Sequence, residues 1–148
     1  MKISAMMDTR VETVSPDTDF QTLLARQQNK ASQLLYVLDQ GRLAGVISSL
    51  DLLKVMAPVW LDENLSRAVS DDQPLTLRSL QENAGRTARE LMTANPVTLT
   101  PRDHVLRAET LLRDTGFNVL PVVDDNGALL GEIGRGAILR YLAAQAGK

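Results

Sequence analysis

The chain states one pattern twice. Residues from Pro16 to Leu53 find counterparts from Pro101 to Leu139. The offset is 85 residues from Met7/Met92 through Asp39/Asp124, and 86 beyond the turn, where Asp125-Asn126-Gly127 holds one residue more than Gln40-Gly41. After the turn Gly41 matches Gly127, Leu43 matches Leu129, Gly45 matches Gly131 and Leu53 matches Leu139. A repeat constrains the fold before any local propensity does, because each copy must build the same unit. Two copies are too few to stack as a solenoid. The expected arrangement is a pseudo-two-fold pair, with related clefts at its seam where ligands tend to sit.

Within each copy the pattern predicts a short strand, a helix, two strands and a closing helix. Thr13-Val14 and Thr98-Leu99 alternate like strand pieces and lead into Ser15-Pro16 and Thr100-Pro101. Proline just before a helix start, with Asp17-Thr18 or Asp103 offering caps, marks the first helix of each copy. Phe20, Leu23, Leu24 and Gln27 line one face of the first; Val105, Ala108, Leu111 and Leu112 line the second, at helical spacing. Leu34–Leu38 and Val119–Val123 are apolar runs that suit strands covered on both faces. Asp39-Gln40-Gly41 and Asp124-Asp125-Asn126-Gly127 supply turn residues that tolerate positive φ. Strands at Leu43–Ile47 and Leu129–Ile133 and helices near Leu50–Met56 and Ala137–Ala144 complete the copies.

The division expected from this is 1–57 for the first repeat, 58–86 for a connecting segment and 87–148 for the second. A structureless run of about thirty residues is unusual in a compact domain, so the connection is expected to hold a helix around Leu75–Asn83, ended by Ala84-Gly85. Thr87-Ala88-Arg89-Glu90 has the spacing of a capping box. Trp60, the single tryptophan, is expected in core or subunit packing rather than stacked on a ligand.

Bulk properties narrow the function classes. With 148 residues, 44% of them apolar and only 3% aromatic, the chain can bury an aliphatic core. A net charge of −2 argues against nucleic acid, which selects basic surfaces. The absence of cysteine excludes disulfides, thiolate catalysis and cysteine-bound zinc. No apolar run approaches a membrane span, and Met1-Lys2-Ile3-Ser4-Ala5 lacks a signal-peptide core; a cytoplasmic protein is expected. His104, the only histidine, has no serine or second histidine to work with and is expected on the surface. The acidic pairs Asp71-Asp72 and Asp124-Asp125 suit solvated loops and turns, and Met6, Met7 and Met92 suit the core. No nucleophile–base pair or metal cluster can be assembled, so no enzyme and no metal site are expected.

Leu120-Pro121-Val122-Val123-Asp124, followed by Gly127, Leu129-Leu130-Gly131 and an apolar helix, resembles the cystathionine β-synthase (CBS) domain family. The first copy supplies Tyr36-Val37-Leu38-Asp39, Gly41-Arg42-Leu43, Gly45-Val46-Ile47-Ser48 and Asp51-Leu52-Leu53. Both copies carry the lead-in, Met7 or Met92 and then Thr13-Val14-Ser15-Pro16 or Thr98-Leu99-Thr100-Pro101. The resemblance spans nearly everything except the middle segment. It implies an α+β fold of two CBS repeats, each β-α-β-β-α, packed as a pseudo-two-fold pair. It also implies an adenosine-containing ligand (AMP, ADP, ATP or S-adenosylmethionine) in the cleft between copies and a homodimer, with no cofactor required. The dimer rests on the resemblance alone.

Ser48-Ser49-Leu50-Asp51 follows a strand and opens a helix, where free N–H groups and the helix dipole favour phosphate. The resemblance gives Asp51 the ribose hydroxyls; Ser48 adds a donor for phosphate. Val14, Tyr36 and Ile47 are the expected adenine wall, with backbone near Thr13 reading its edge. The same Ser-x-x-Asp is also an ordinary capping pair, and both roles stand. The second copy has Gly134-Arg135-Gly136-Ala137 there, with neither hydroxyl nor carboxylate. A weak second site would fall to Thr98, Leu99, Pro121 and Arg135, the guanidinium acting as a phosphate fork or simply standing in solvent. Two readings follow: a regulatory module that senses an adenosine ligand and signals to an effector protein, or a ligand-free structural module acting through dimerisation. The sensor is the leading reading; the degraded second motif, and tyrosine where the family has proline at Tyr36, support the alternative.

Overall fold

The computed structural model describes residues 1–28, 30–57 and 60–148. The fold is α+β. The first copy runs β1 (Glu12–Val14), α1 (Phe20–Gln27), β2 (Leu35–Asp39), β3 (Arg42–Ile47) and α2 (Ser49–Met56). The connection holds α3 (Glu63–Arg67) and α4 (Gln73–Asn83), then α5 (Ala88–Leu91) leads to β4 (Thr93–Ala94). The second copy runs α6 (Val105–Thr115), β5 (Val119–Val123), β6 (Leu129–Gly134) and α7 (Arg135–Ala146). The counterpart of β1 is reduced to one parallel bridge, Leu99↔Val122. Pro121 stands where the first copy has Tyr36, and proline has no N–H to extend that ladder.

The two copies trade their lead-in segments. β4, from the start of the second copy, pairs antiparallel with β3 of the first, Val46 opposite Thr93. Asp8, from the start of the first copy, exchanges both backbone hydrogen bonds with Glu132 of β6, each 2.8 Å. The cores record the same exchange. Ile3, Met6 and Met7 pack with Leu99, Val105, Leu120 and Ile133, while Ala88, Leu91 and Met92 pack with Phe20, Leu23, Leu35 and Ile47. Each crossing needs a glycine opposite it. A Cβ on Gly131 would stand 2.5 Å from the Asp8 carbonyl oxygen, and one on Gly45 2.8 Å from that of Thr93.

Local chemistry fixes the helix ends, with three corrections to the expected caps. Asp19, not Asp17 or Thr18, caps α1 by accepting from the Thr22 N–H. Asp103 accepts from Thr100 N–H at 2.8 Å, so the cap position of α6 falls to His104, which makes no side-chain cap bond and is exposed. Thr87 precedes α5 without a capping bond, because four residues give the reciprocal pair little helix to hold. Trp60 is 61% exposed, which removes it from the core. No helix among the described residues is long and apolar enough to cross a membrane.

Candidate functional site

A cavity of about 470 Å³ opens at the seam between the copies. Leu34, Val46 and Ser48 to Asp51 of the first copy form one wall; Thr93, Asn95 to Val97 and Gly116 to Pro121 form the other. β3 delivers Val46 and then Ser48, where the chain turns into α2. There Ser48 Oγ accepts from Asp51 N–H at 3.1 Å and Asp51 Oδ2 accepts from Ser48 N–H at 2.8 Å. This reciprocal pair fixes the carboxylate at the cavity edge and satisfies two of the helix's unpaired donors. Asn95, at φ 51°, takes the left-handed conformation that asparagine tolerates and swings the chain from β4 to Pro96. The cavity's wall carries one ionisable side chain, Asp51, and no lysine, arginine or histidine among the described residues. Such a site offers apolar surface for a flat ring, a carboxylate for hydroxyl donors and helix N–H groups for an anion.

Of the residues singled out in the sequence, Ser48, Asp51 and Pro121 meet on this cavity. Thr13, Val14, Tyr36 and Ile47 lie off its lining. Val14 and Ile47 are buried in the first core. Alternation along β3 sends Val46 to the cavity and Ile47 to the opposite face, so on this strand the contact expected at Ile47 falls to its neighbour Val46. Tyr36 is fully buried and donates its hydroxyl to Glu132 Oε2 at 2.7 Å. On the second copy, Leu99 is buried in the core and Thr98 is half-buried outside the lining. Arg135 is no free phosphate fork: Nε donates to the Phe117 carbonyl at 2.9 Å and Nη2 to that of Gly116 at 2.7 Å. Thr93, Asn95, Phe117 and Asn118, among others that no sequence motif marks, also line the cavity. The signal for Thr93 and Asn95 is the repeat itself, once the lead-in of each copy is assigned to the other.

Glu132 is a buried carboxyl, 5% exposed. Burial pushes its carboxyl above the ordinary value of 4.5, and nearby Asp8 adds to that; hydrogen bonds from Tyr36 and the Gln33 N–H, with the Lys30 ammonium, pull the other way without winning. The folded chain therefore holds this proton to higher pH than the unfolded chain does. Its contribution to stability is whole below 4.5 and is lost as pH rises through the raised value. Glu132→Gln, neutral throughout, should gain on wild type as pH climbs from below 4.5 through the raised value. Thermal midpoints of the two proteins across that range check this; parallel curves would refute it.

Comparison with known proteins places this geometry. The CBS domain family model matches residues 3–58 and 88–144. The chloroplastic CBS domain-containing protein CBSX2 of Arabidopsis thaliana is 30% identical over 119 residues, 76% of this chain and 50% of that one. The chain thus spans half the length of that relative. A CBS domain-containing protein of Dictyostelium discoideum is 28% identical over 141 residues, covering 95% of this chain and 90% of its own. Among solved structures, CBSX2 in complex with AMP superposes with a TM-score of 0.73 at 27% identity, covering 99% of this chain and 98% of that one. The cytosolic domain of the Mg2+ channel MgtE in complex with ATP gives a TM-score of 0.69 at 21% identity, over 95% of this chain and 48% of that one, a likeness of fold.

Proposed function

The chain belongs to the CBS domain family, and from that premise we propose that it is a regulatory module that binds an adenosine-containing ligand at the Asp51 cleft and signals through a partner. The observation that carries this reading is the capped Asp51 at the edge of a seam cavity. Its carboxylate can accept from vicinal ribose hydroxyls, and Leu34, Val46, Pro121 and Phe117 offer apolar surface to adenine. Relatives of the same fold have been solved with AMP and with ATP. The lining narrows the choice. With no lysine or arginine in the wall, a phosphate chain meets only helix N–H groups and hydroxyls, which suit one phosphate better than three. AMP, or an adenosyl sulfonium such as S-adenosylmethionine, fits this charge better than ATP.

A thermal-shift screen tests the proposal. AMP at about 100 times its dissociation constant adds roughly 2.7 kcal/mol, a rise of several degrees, and ATP at equal concentration should raise the midpoint less. No shift with AMP, ADP, ATP or S-adenosylmethionine at millimolar concentration, on folded nucleotide-free protein, would leave the second reading standing. That reading is a ligand-free module acting as a homodimer. It is favoured by two repeat-related leucines left in solvent, Leu53 on α2 and Leu139 on α7, 67% and 64% exposed.

A further inference from the structure

The open cleft has a pseudo-symmetric counterpart, and side chains of the chain itself occupy it. The repeat offset fixes the correspondence: Val46 becomes Glu132, Pro121 becomes Tyr36, Asn118 becomes Gln33 and Ser48 becomes Gly134. Around Asp51 the smaller set leaves the cavity open. In the counterpart the Tyr36 hydroxyl donates to Glu132 Oε2 at 2.7 Å and the Gln33 N–H donates to Oε1 at 2.9 Å. The Gln33 side chain lies over Gly134 so closely that a Cβ there would stand 2.5 Å from its amide nitrogen.

This brace ties one copy to the other, since Tyr36 belongs to β2 and Glu132 to β6. Each member is also the register partner of a residue on the open cleft: Tyr36 sits opposite Val46 and Glu132 opposite Pro121. The wall of the open cleft is therefore mounted, one strand away, on the brace. A buried phenol–carboxylate pair is expensive to separate, so the counterpart cleft stays shut.

We propose that the second cleft is a fixed joint, filled by Tyr36, Glu132 and Gln33, so that the pair takes one ligand per chain and opens on the Asp51 side alone. The stoichiometry rests on the nucleotide reading above; the joint does not. Calorimetric titration of the full chain with AMP is expected to give one site per chain, and two would overturn the proposal. Tyr36→Phe leaves the lining of the open cleft intact yet is expected to weaken AMP binding by roughly 3–10-fold; an unchanged affinity would count against the joint. A ligand-free arm uses Tyr141→Phe, which leaves Tyr36 as the sole tyrosine. Its phenolate absorbance should appear in alkali only as the chain unfolds, and ionisation in a folded protein would overturn the joint. No AMP binding at all would refute the nucleotide reading, and the tyrosine titration would then decide the joint by itself.

Discussion

Gly131→Ala should destabilise the chain by about 1–3 kcal/mol, lowering its thermal midpoint by roughly 3–10 °C. The backbone conformation at Gly131 is one any residue can adopt, since it is absent from the positive-φ glycines. The cost comes from what crosses it. A methyl group would meet the Asp8 carbonyl oxygen at 2.5 Å and the Asp8 carbonyl carbon at 3.2 Å, both backbone atoms tied to Glu132 by two hydrogen bonds. To make room, the lead-in must lift from β6 and draw Ile3, Met6 and Met7 from the second core. Gly45→Ala should cost less, because its nearest obstacle is the flexible Met92 thioether, although the Thr93 carbonyl at 2.8 Å still resists. Gly85→Ala, with open space around it, serves as the control and should be near neutral. Thermal unfolding of the three variants checks the order; a Gly131→Ala midpoint equal to wild type would refute the steric account.

Asp51→Ala should weaken AMP binding by about 10–100-fold, the loss of one charge-assisted hydrogen-bonding group of about 1.5–3 kcal/mol. The same substitution removes half of the Ser48–Asp51 cap, so it also lowers stability by about 0.5–2 kcal/mol. Asp51→Asn separates the two effects. Its carbonyl oxygen can still accept from Ser48 N–H, so stability should stay near wild type. Yet it keeps a single acceptor, already engaged by the cap, and its amide donates where ribose hydroxyls need acceptors. Isothermal titration with AMP beside thermal unfolding reads both quantities. An Asp51→Asn protein that binds AMP as wild type does would remove Asp51 from the ligand and leave it a helix cap.

What the sequence made legible was whatever is repeated and local. The strands expected at Leu34–Leu38 and Val119–Val123 and the helix ending at Asn83 follow from apolar period and turn residues, and the structure has them at Leu35–Asp39, Val119–Val123 and Gln73–Asn83. The pair of CBS repeats was legible for the same reason. Partnership between distant segments was harder to read. A repeat shows that Ile3 and Ala88 are equivalent, yet it is silent on which core each one enters, because both assignments satisfy the same pattern. The cleft shows the consequence: Thr93, Asn95, Pro96 and Val97, from the start of the second copy, line it beside Val46 and Asp51 of the first, while Thr13 and Val14 stay paired with β2 in their own sheet. Tyr36 departs from the family's proline, a departure that by itself supports a ligand-free reading of the cleft. Its hydroxyl has a buried partner 96 positions away, a pairing no local window contains. Capping chemistry was ambiguous in a different way. Ser48–Asp51 and Thr87–Glu90 have the same spacing, and only the first is followed by a helix long enough to hold the box.

The exchanged lead-ins also bear on descent. A single copy of this unit, cut free, would leave Ile3, Met6 and Met7 with no groove of their own to enter, and its own groove would stand open. The economical remedy for such a chain is to trade that segment with an identical neighbour, as domain-swapped dimers do. The tandem chain has the topology of that swapped dimer with its two subunits joined in series. On this view duplication added no new interface; it made an existing one intramolecular. Once the subunits were joined, the two clefts of the ancestral pair no longer had to stay alike, and one could keep its carboxylate while the other filled with tyrosine and glutamate.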